Sequence, residues 1–450
     1  MKIILLLSAL ILVNASAITL PSTSSQNSLI VYNSNVGLVH EKRELKLQKN
    51  DRQIIYTGVA SSINTDSVNV SLPSGISLYS QQYRYDKLSK AKLIDAHIGK
   101  SVQVKVAKDA KNFKVIDAVL LSNDGNSCIV KSENKIITVA SKDIIFKSIP
   151  KELITKPSLV WNIKSKKNIN SDLTIDYLIN NISWKSNYIL NLDGDNADLN
   201  GWITLDNRSG KSFKNTSLHV LAGELNRAQQ PRHNYRVAKS MVMNDSMQGV
   251  TQQAHEGYHF YTIPFKVTLA NNERTQIKFI TQRDIPVKRK YTVTMSNPNY
   301  LRGESSRDVT QFISMKGLEY PLPSGIVRTY SKLEKTTILL GETRIKHTPK
   351  DTAISLKLGK NFDVKVKETL LNRDKGNWKL DVDAQYSIKN SSDETKDIEI
   401  LIPFNKNDGS EVKSDVKYTF TKGNMVTFKL RVKANSTKKF KVFYRTKIKN

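Results

Sequence analysis

Cysteine is nearly missing. Cys128 is the single one in 450 residues, so the chain can close no internal disulfide and its stability has to come from packed cores. Long apolar runs are missing too: the longest, from Ile3 to Val13, is about 11 residues, against the roughly 20 that a membrane-spanning helix needs. Acidic residues are scarce beside basic ones, 41 against 70, which leaves a formal net charge of +29. An excess of that size attracts nucleic acid, anionic lipid or acidic polysaccharide. No helix-turn-helix pattern and no aromatic-basic sheet signature accompanies it, so nucleic acid is not an expected partner. The chain has no G-x-S-x-G elbow, no G-x-x-x-x-G-K-[ST] phosphate loop and no dinucleotide fingerprint, and it lacks the helix–strand alternation that such sites need. There is also no fixed-period repeat and no low-complexity segment.

What is present is short strands in quantity. Lysines alternate with apolar residues, as in Phe428-Lys429-Leu430-Arg431-Val432-Lys433 and Phe440-Lys441-Val442-Phe443. That is the pattern of a half-buried strand with a solvated face. The expected class is all-β: several antiparallel β-sandwich or small-barrel modules with few short helices. The first residues, MKIILLLSALILVNASA, carry a lysine at position two, an apolar run and the small-x-small end Ala15-Ser16-Ala17, which reads as a signal peptide over 1–17. A polar lead from Ile18 to Asn27 reads as a loose terminus. An N-terminal β module follows, 18–92, with one helix expected over Tyr85 to His97 and stopped at Gly99. Five brief strands between Gly99 and Phe146, joined by turns such as Asn123-Asp124-Gly125, suggest a small SH3- or Sm-like barrel over 93–150. Within it Cys128 reads as a small buried hydrophobe. A central β-sandwich is expected over 151–316, interrupted by a long loop over 227–257. A C-terminal immunoglobulin-like sandwich, without any Cys-Trp-Cys spacing, is expected over 317–450.

One block has specific wording. From Leu173 to Glu224, Trp184, Ser186, Tyr188, Leu190 and Leu192 share one face at period two, and Asp193-Gly194-Asp195-Asn196 turns the chain. Leu199, Gly201, Ile203 and Leu205 resume the alternation up to the turn at Asn207-Arg208-Ser209-Gly210. With Lys156 to Trp161, Leu318 to Tyr330 and Leu340 to Pro349, this block resembles the secreted domain-of-unknown-function family whose longer members are mucoidy-inhibitor-like. The resemblance runs from Leu29 to about Lys449 and implies a bacterial source, a periplasmic or secreted location and an association with the cell envelope. It fixes no reaction. The chain departs from the longer members in lacking an evident coiled-coil insertion between its first and central modules.

The candidate chemistry is thin. His255-Glu256-Gly257-Tyr258-His259 matches H-E-x-x-H, in which a helix puts two imidazoles on one zinc and the Glu beside its bound water. Gly257 and the aromatic, β-branched run that follows favour a strand instead, where residues four apart lie about 13 Å from one another. The loop before it holds Met241, Met243 and Met247 with Arg227, His233 and His255. Thioether and imidazole groups suit Cu(I), but the irregular spacing and the absence of other sulfur ligands favour an adaptable Met-rich loop that packs on the sandwich or on a partner. Asp193, Asp195 and Asp198 resemble a calcium loop without its glycine and distant glutamate, so a hairpin turn is the expectation. Trp184, Tyr188 and Trp202 would either stack on a sugar or fill a sheet core, and alternation favours the core. The reading that results is an exported, non-enzymatic envelope protein that binds a protein or an anionic polysaccharide or lipid headgroup. No cofactor or metal site is expected, and a binding loop is expected at Arg227, His233, Met241, Met243, Met247 and His255. The rivals are a zinc hydrolase built on HEGYH and a polyanion-binding surface.

Overall fold

A computed structural model describes residues 17–109, 112–150, 152–222, 251–255, 258–406, 410–421 and 424–447, with only the backbone for 251–255 and 258. Strands dominate these residues, and the all-β expectation holds. Among the described residues no helix is long and apolar enough to cross a membrane. The chain divides into two compact units, Met1–Trp184 with Leu205–Thr275, and Lys185–Thr204 with Gln276–Asn450.

In the first unit the strand Val36–Leu47 pairs in antiparallel register with Ile169–Asn180 along its whole length, Val36 opposite Asn180 and Leu47 opposite Ile169. Gln26–Tyr32, Phe213–Ala222 and Tyr258–Thr262 extend this sheet on one side and Asn69–Ser71 on the other. A second sheet runs in the order Ala17–Leu20, Gln53–Thr57, Ser158–Ser165, Ile76–Arg84. Strict alternation buries Val39 and Leu45 from the first sheet and Ile54, Tyr56, Leu159 and Trp161 from the second. The two sheets meet through these faces, where the Arg43 guanidinium lies 3.6 Å from the centre of the Tyr56 ring.

The segment from Ile18 is not loose. Ala17–Leu20 pairs parallel with Gln53–Tyr56, Leu20 is buried, and the carbonyls of Leu20 and Pro21 accept from Thr57 Oγ1 at 2.9 Å and Arg43 Nη1 at 2.9 Å. Residues 1–16, which carry the expected signal sequence, lie outside the described residues. The helix is shorter than its periodicity predicts, Lys90–Asp95, because Asp86 holds the preceding chain extended by accepting from Ile154 N at 2.9 Å. Ser89 caps it by accepting from Lys92 N. The module expected as a small barrel is an open sheet. Its order is Lys135–Ala140, Ser127–Ser132, Phe113–Asn123, Ser101–Ala107, Ile144–Ile145, and no ladder joins the two outer strands. The last strand is only two residues long, too short to close the ring. Cys128 is buried in its core with Val102, Val104, Leu120 and Val130.

In the second unit, the strands Ile354–Lys375, Lys379–Asn390, Ser436–Lys447 and Glu411–Ser414 form one layer. Lys396–Pro403, Met425–Val432 and Tyr418–Thr421 form the other, joined by residues 291–294 of the 22-residue strand Glu273–Thr294 in parallel register with 398–401. Phe428 and Phe440 meet across the layers at 4.8 Å between ring centres, and Phe404 meets Tyr444 at 5.3 Å. Val366, Val382, Tyr386, Ile398 and Ile400 fill the space between. The family-like wording forms the start of this unit's ladder: residues 186–192 pair parallel with 325–331. Tyr188 and Leu190 are buried as their alternation requires, and Tyr188 OH donates to Pro323 O at 2.7 Å.

Candidate functional site

Arg227, His233, Met241, Met243 and Met247 lie outside the described residues. His255 ends the strand Thr251–His255, opposite Tyr258, so the last part of the expected loop is a hairpin. In this hairpin Ala254 faces His259, which leaves residues 255 and 259 one register step apart on facing strands and not one helical turn apart. The H-E-x-x-H letters therefore do not form the helical arrangement that a zinc protease uses. His259 is half-buried, and burial lowers its pKa, as it does for His219, whose ring stacks on Phe260 at 4.8 Å. Trp184 is core and donates from Nε1 to Leu221 O at 3.2 Å; Trp202 is half-buried. Asp193-Gly194-Asp195-Asn196 is a tight turn in which Asp195 pairs with Arg289 at 2.8 Å and Asp198 accepts from Asp284 N.

Sequence reasoning missed two kinds of buried polar group. The first is ionic. Glu41 and Arg43 alternate with Val39, Leu45 and Leu47 on the inward face of their strand. The Glu41 carboxylate accepts from Arg43 Nη2 at 2.7 Å, from Tyr56 OH at 2.7 Å and from the Lys211 ammonium. Arg43 also donates to Thr57 O at 2.7 Å, and Lys211 reaches Tyr177 OH at 3.3 Å. Burial by itself would raise the Glu41 pKa, but the Lys211 and Arg43 charges and the bonds donated to the carboxylate bring it below the ordinary value. Burial pushes the Lys211 pKa down against the pull of the Glu41 charge. With two cations and a hydroxyl against one carboxylate, the carboxylate is ionised at neutral pH. Burial first, and then the Glu41 charge, raise the pKa of both Tyr56 and Tyr177. Every oxygen of Glu41 is committed within the core, so the cluster holds the two sheets in register.

The second kind is a corner built twice. Asn207 is buried at the end of its strand; its Oδ1 accepts from Ser209 N and Oγ, and its Nδ2 donates to the carbonyls of Lys211, Leu269 and Ala270. Asn390 repeats this in the second unit, accepting from Ser392 N and Oγ and donating to the carbonyls of Glu394, Val432 and Lys433. The signal in the sequence is the shared Asn-x-Ser after a strand, with an Ala-Asn pair downstream at 270–271 and at 434–435.

The exposed charge gathers on the outer face of the second unit's C-terminal layer. Register puts Lys365 directly opposite Lys389, Lys367 in a row with Ser387 and Lys439, and Lys441 beside Gln385. Lys367 pairs with Glu304 at 2.5 Å. Lys365, Lys389, Lys439 and Lys441 are exposed and have no ion pair among the described residues. Adjacent strands lie about 4.8 Å apart and same-face residues about 6.7 Å apart along a strand, so these lysine side chains leave the sheet from a two-dimensional grid of that spacing. At one side of the array a depression of about 460 Å³ is lined by Leu371, Asp383, Lys413, Lys441 and Phe443, and the Lys413 and Arg445 cations lie 5.8 Å and 5.3 Å from the Phe443 ring centre. Among the described residues no cluster of His, Cys, Asp or Glu has the grouping of a metal site. The face can hold a ligand with repeated negative charges. No family model matches this chain, and no curated protein matches it.

Proposed function

We propose that this is an exported, non-enzymatic envelope protein that binds an anionic polymer, and that the basic face of the C-terminal layer is where it does so. The observation that carries the reading is the Lys365–Lys389 pair. Like charges directly opposite on neighbouring strands destabilise a sheet; Asp308, which lies opposite Lys365 on its other side, pairs with Lys360, and Glu304 pairs with Lys367, while Lys389, Lys439 and Lys441 carry the surplus positive charge over the next two strands. A carboxylated, sulfated or phosphorylated polysaccharide removes that repulsion on binding. The resemblance of the sequence to secreted envelope proteins and the leader-like first residues agree with such a location. The test is retention of the full chain on heparin and on lipopolysaccharide resin over a salt gradient. The wild type is expected to elute late and with steep salt dependence; the Lys365→Gln/Lys389→Gln/Lys439→Gln/Lys441→Gln variant is expected to elute early. Equal elution of the two would refute the assignment.

A further inference from the structure

We infer that the open five-stranded sheet of the first unit docks on a lipid bilayer rich in anionic headgroups, through the face it turns away from its own core. This inference goes beyond polymer binding and concerns a different surface. One face of the sheet is an ordinary core of Val102, Val104, Leu120 and Val130. The opposite face should be polar on a sheet that water covers, and it is not. Phe113 and Ile136 are 60% and 66% exposed, and Val115, Val119, Leu121 and Ile129 are also exposed. Val119, Leu121, Ile129 and Ile136 gather on three adjacent strands around Lys131, and Phe113 and Val115 continue the apolar face along one of those strands beyond Asp117.

The charges within the patch choose the occupant. Lys131 stands between Val119 and Ile136 in the same cross-strand row, and Lys105 is opposite Val115 with its ammonium 4.9 Å from the Phe113 ring centre. The acid on the face, Asp117, is already paired with Lys147 at 2.8 Å. Two uncommitted ammonium groups on long stems among apolar side chains are what a headgroup layer above acyl chains complements: the rings and branched chains enter, and the lysines reach back to phosphate. A second copy of the chain would bring the same positive charges against this face. The patch is also small beside the roughly 20–30 residues a side of a stable protein interface.

The experiment uses the full chain with vesicles of phosphatidylcholine alone or mixed with phosphatidylglycerol. Binding by co-sedimentation is expected only with the anionic mixture. Phe113→Ser/Ile136→Ser should weaken it by at least about ten-fold, since each substitution removes one apolar anchor. Both side chains are exposed, so the fold should survive. A fluorophore on Ile136→Cys, with the native Cys128 buried and unreactive, should be quenched by lipids carrying a spin label in the acyl chain. The same measurements in the four-lysine Gln variant separate this proposal from polymer binding: vesicle insertion should persist there while heparin retention is lost. Unchanged vesicle binding by the Phe113→Ser/Ile136→Ser variant, or an unquenched fluorophore, would overturn the inference. So would the finding that this variant merely turns a dimer into a monomer.

Discussion

The two asparagine corners use the same hydrogen bonds on two different cores. At Asn207 the following lysine, Lys211, runs inward to a buried carboxylate and a buried guanidinium. After Asn390 the position of Lys211 is taken by Glu394, whose side chain is 79% exposed, and the buried lysine is Lys396, which ends 3.3 Å from Tyr291 OH and 3.5 Å from Glu394. The local device is thus independent of what lies beneath it. The same turn can sit over a cluster of three buried charges or over a single buried lysine, and the two corners differ first in what lies beneath them. They differ once more in crowding: Gly210 has φ +81° and a Cβ there would stand 1.7 Å from Ser61 Oγ, whereas the equivalent position of the second corner is Asp393.

Removing the carboxylate should separate the two units most sharply. Glu41→Gln leaves Arg43 and Lys211 buried without a counter-charge and is expected to cost about 3–5 kcal/mol in chemical denaturation, while Lys396→Met should stay within about 1 kcal/mol. A small cost for Glu41→Gln would mean that the cluster does not hold the first core. Acid should reach the same core without mutation. The Glu41 pKa is lower in the folded chain than its ordinary 4.5, so its contribution is complete above about pH 4.5 and is lost as pH falls towards the folded value. In Glu41→Gln that acid-side loss should shrink, as a pH series of denaturation midpoints would reveal.

The corners themselves should respond alike. Asn207→Ala and Asn390→Ala each leave three carbonyls and a serine without their partner and are expected to cost about 2–4 kcal/mol by thermal or urea unfolding. A cost confined to one of them would break the equivalence. Gly210→Ala should cost about 1–3 kcal/mol through the positive φ and the Ser61 contact, against under about 0.5 kcal/mol for Asp393→Ala. The smallest effect concerns the basic face: Lys389→Glu should raise stability by about 0.2–1 kcal/mol by pairing with Lys365, and at the same time lower retention on heparin. A stabilisation without loss of retention would detach the lysine array from binding.

Much of the strand content was legible. Trp184, Tyr188 and Leu190 lie buried where period-two alternation places them, and Lys439 and Lys441 lie outward for the same reason. Gly257 and the residues after it pointed to the strand that Tyr258–Thr262 forms. The small barrel was read from strand count, but closure depends on pairing between outer strands, which no local pattern encodes. Glu41 and Arg43 carry charge, which in a single sequence is the stronger cue to a surface position, and only their phase with Val39 and Leu45 points inward. Asn207 and Asn390 could be placed at turns, but their acceptors at 269–270 and 432–433 are distant in the chain.

By itself, then, the sequence determined which residues alternate, which face each would take and how large the surplus of positive charge is. These follow from a two-residue period and from composition, both of which are local or additive. The tertiary structure alone decided that Lys365 meets Lys389, that Lys211 reaches Glu41 and that the outer face of the five-stranded sheet stays bare. Strand register and the stacking of sheets are set by contacts between residues far apart in the chain, and it is those contacts that turn a list of outward lysines into a surface.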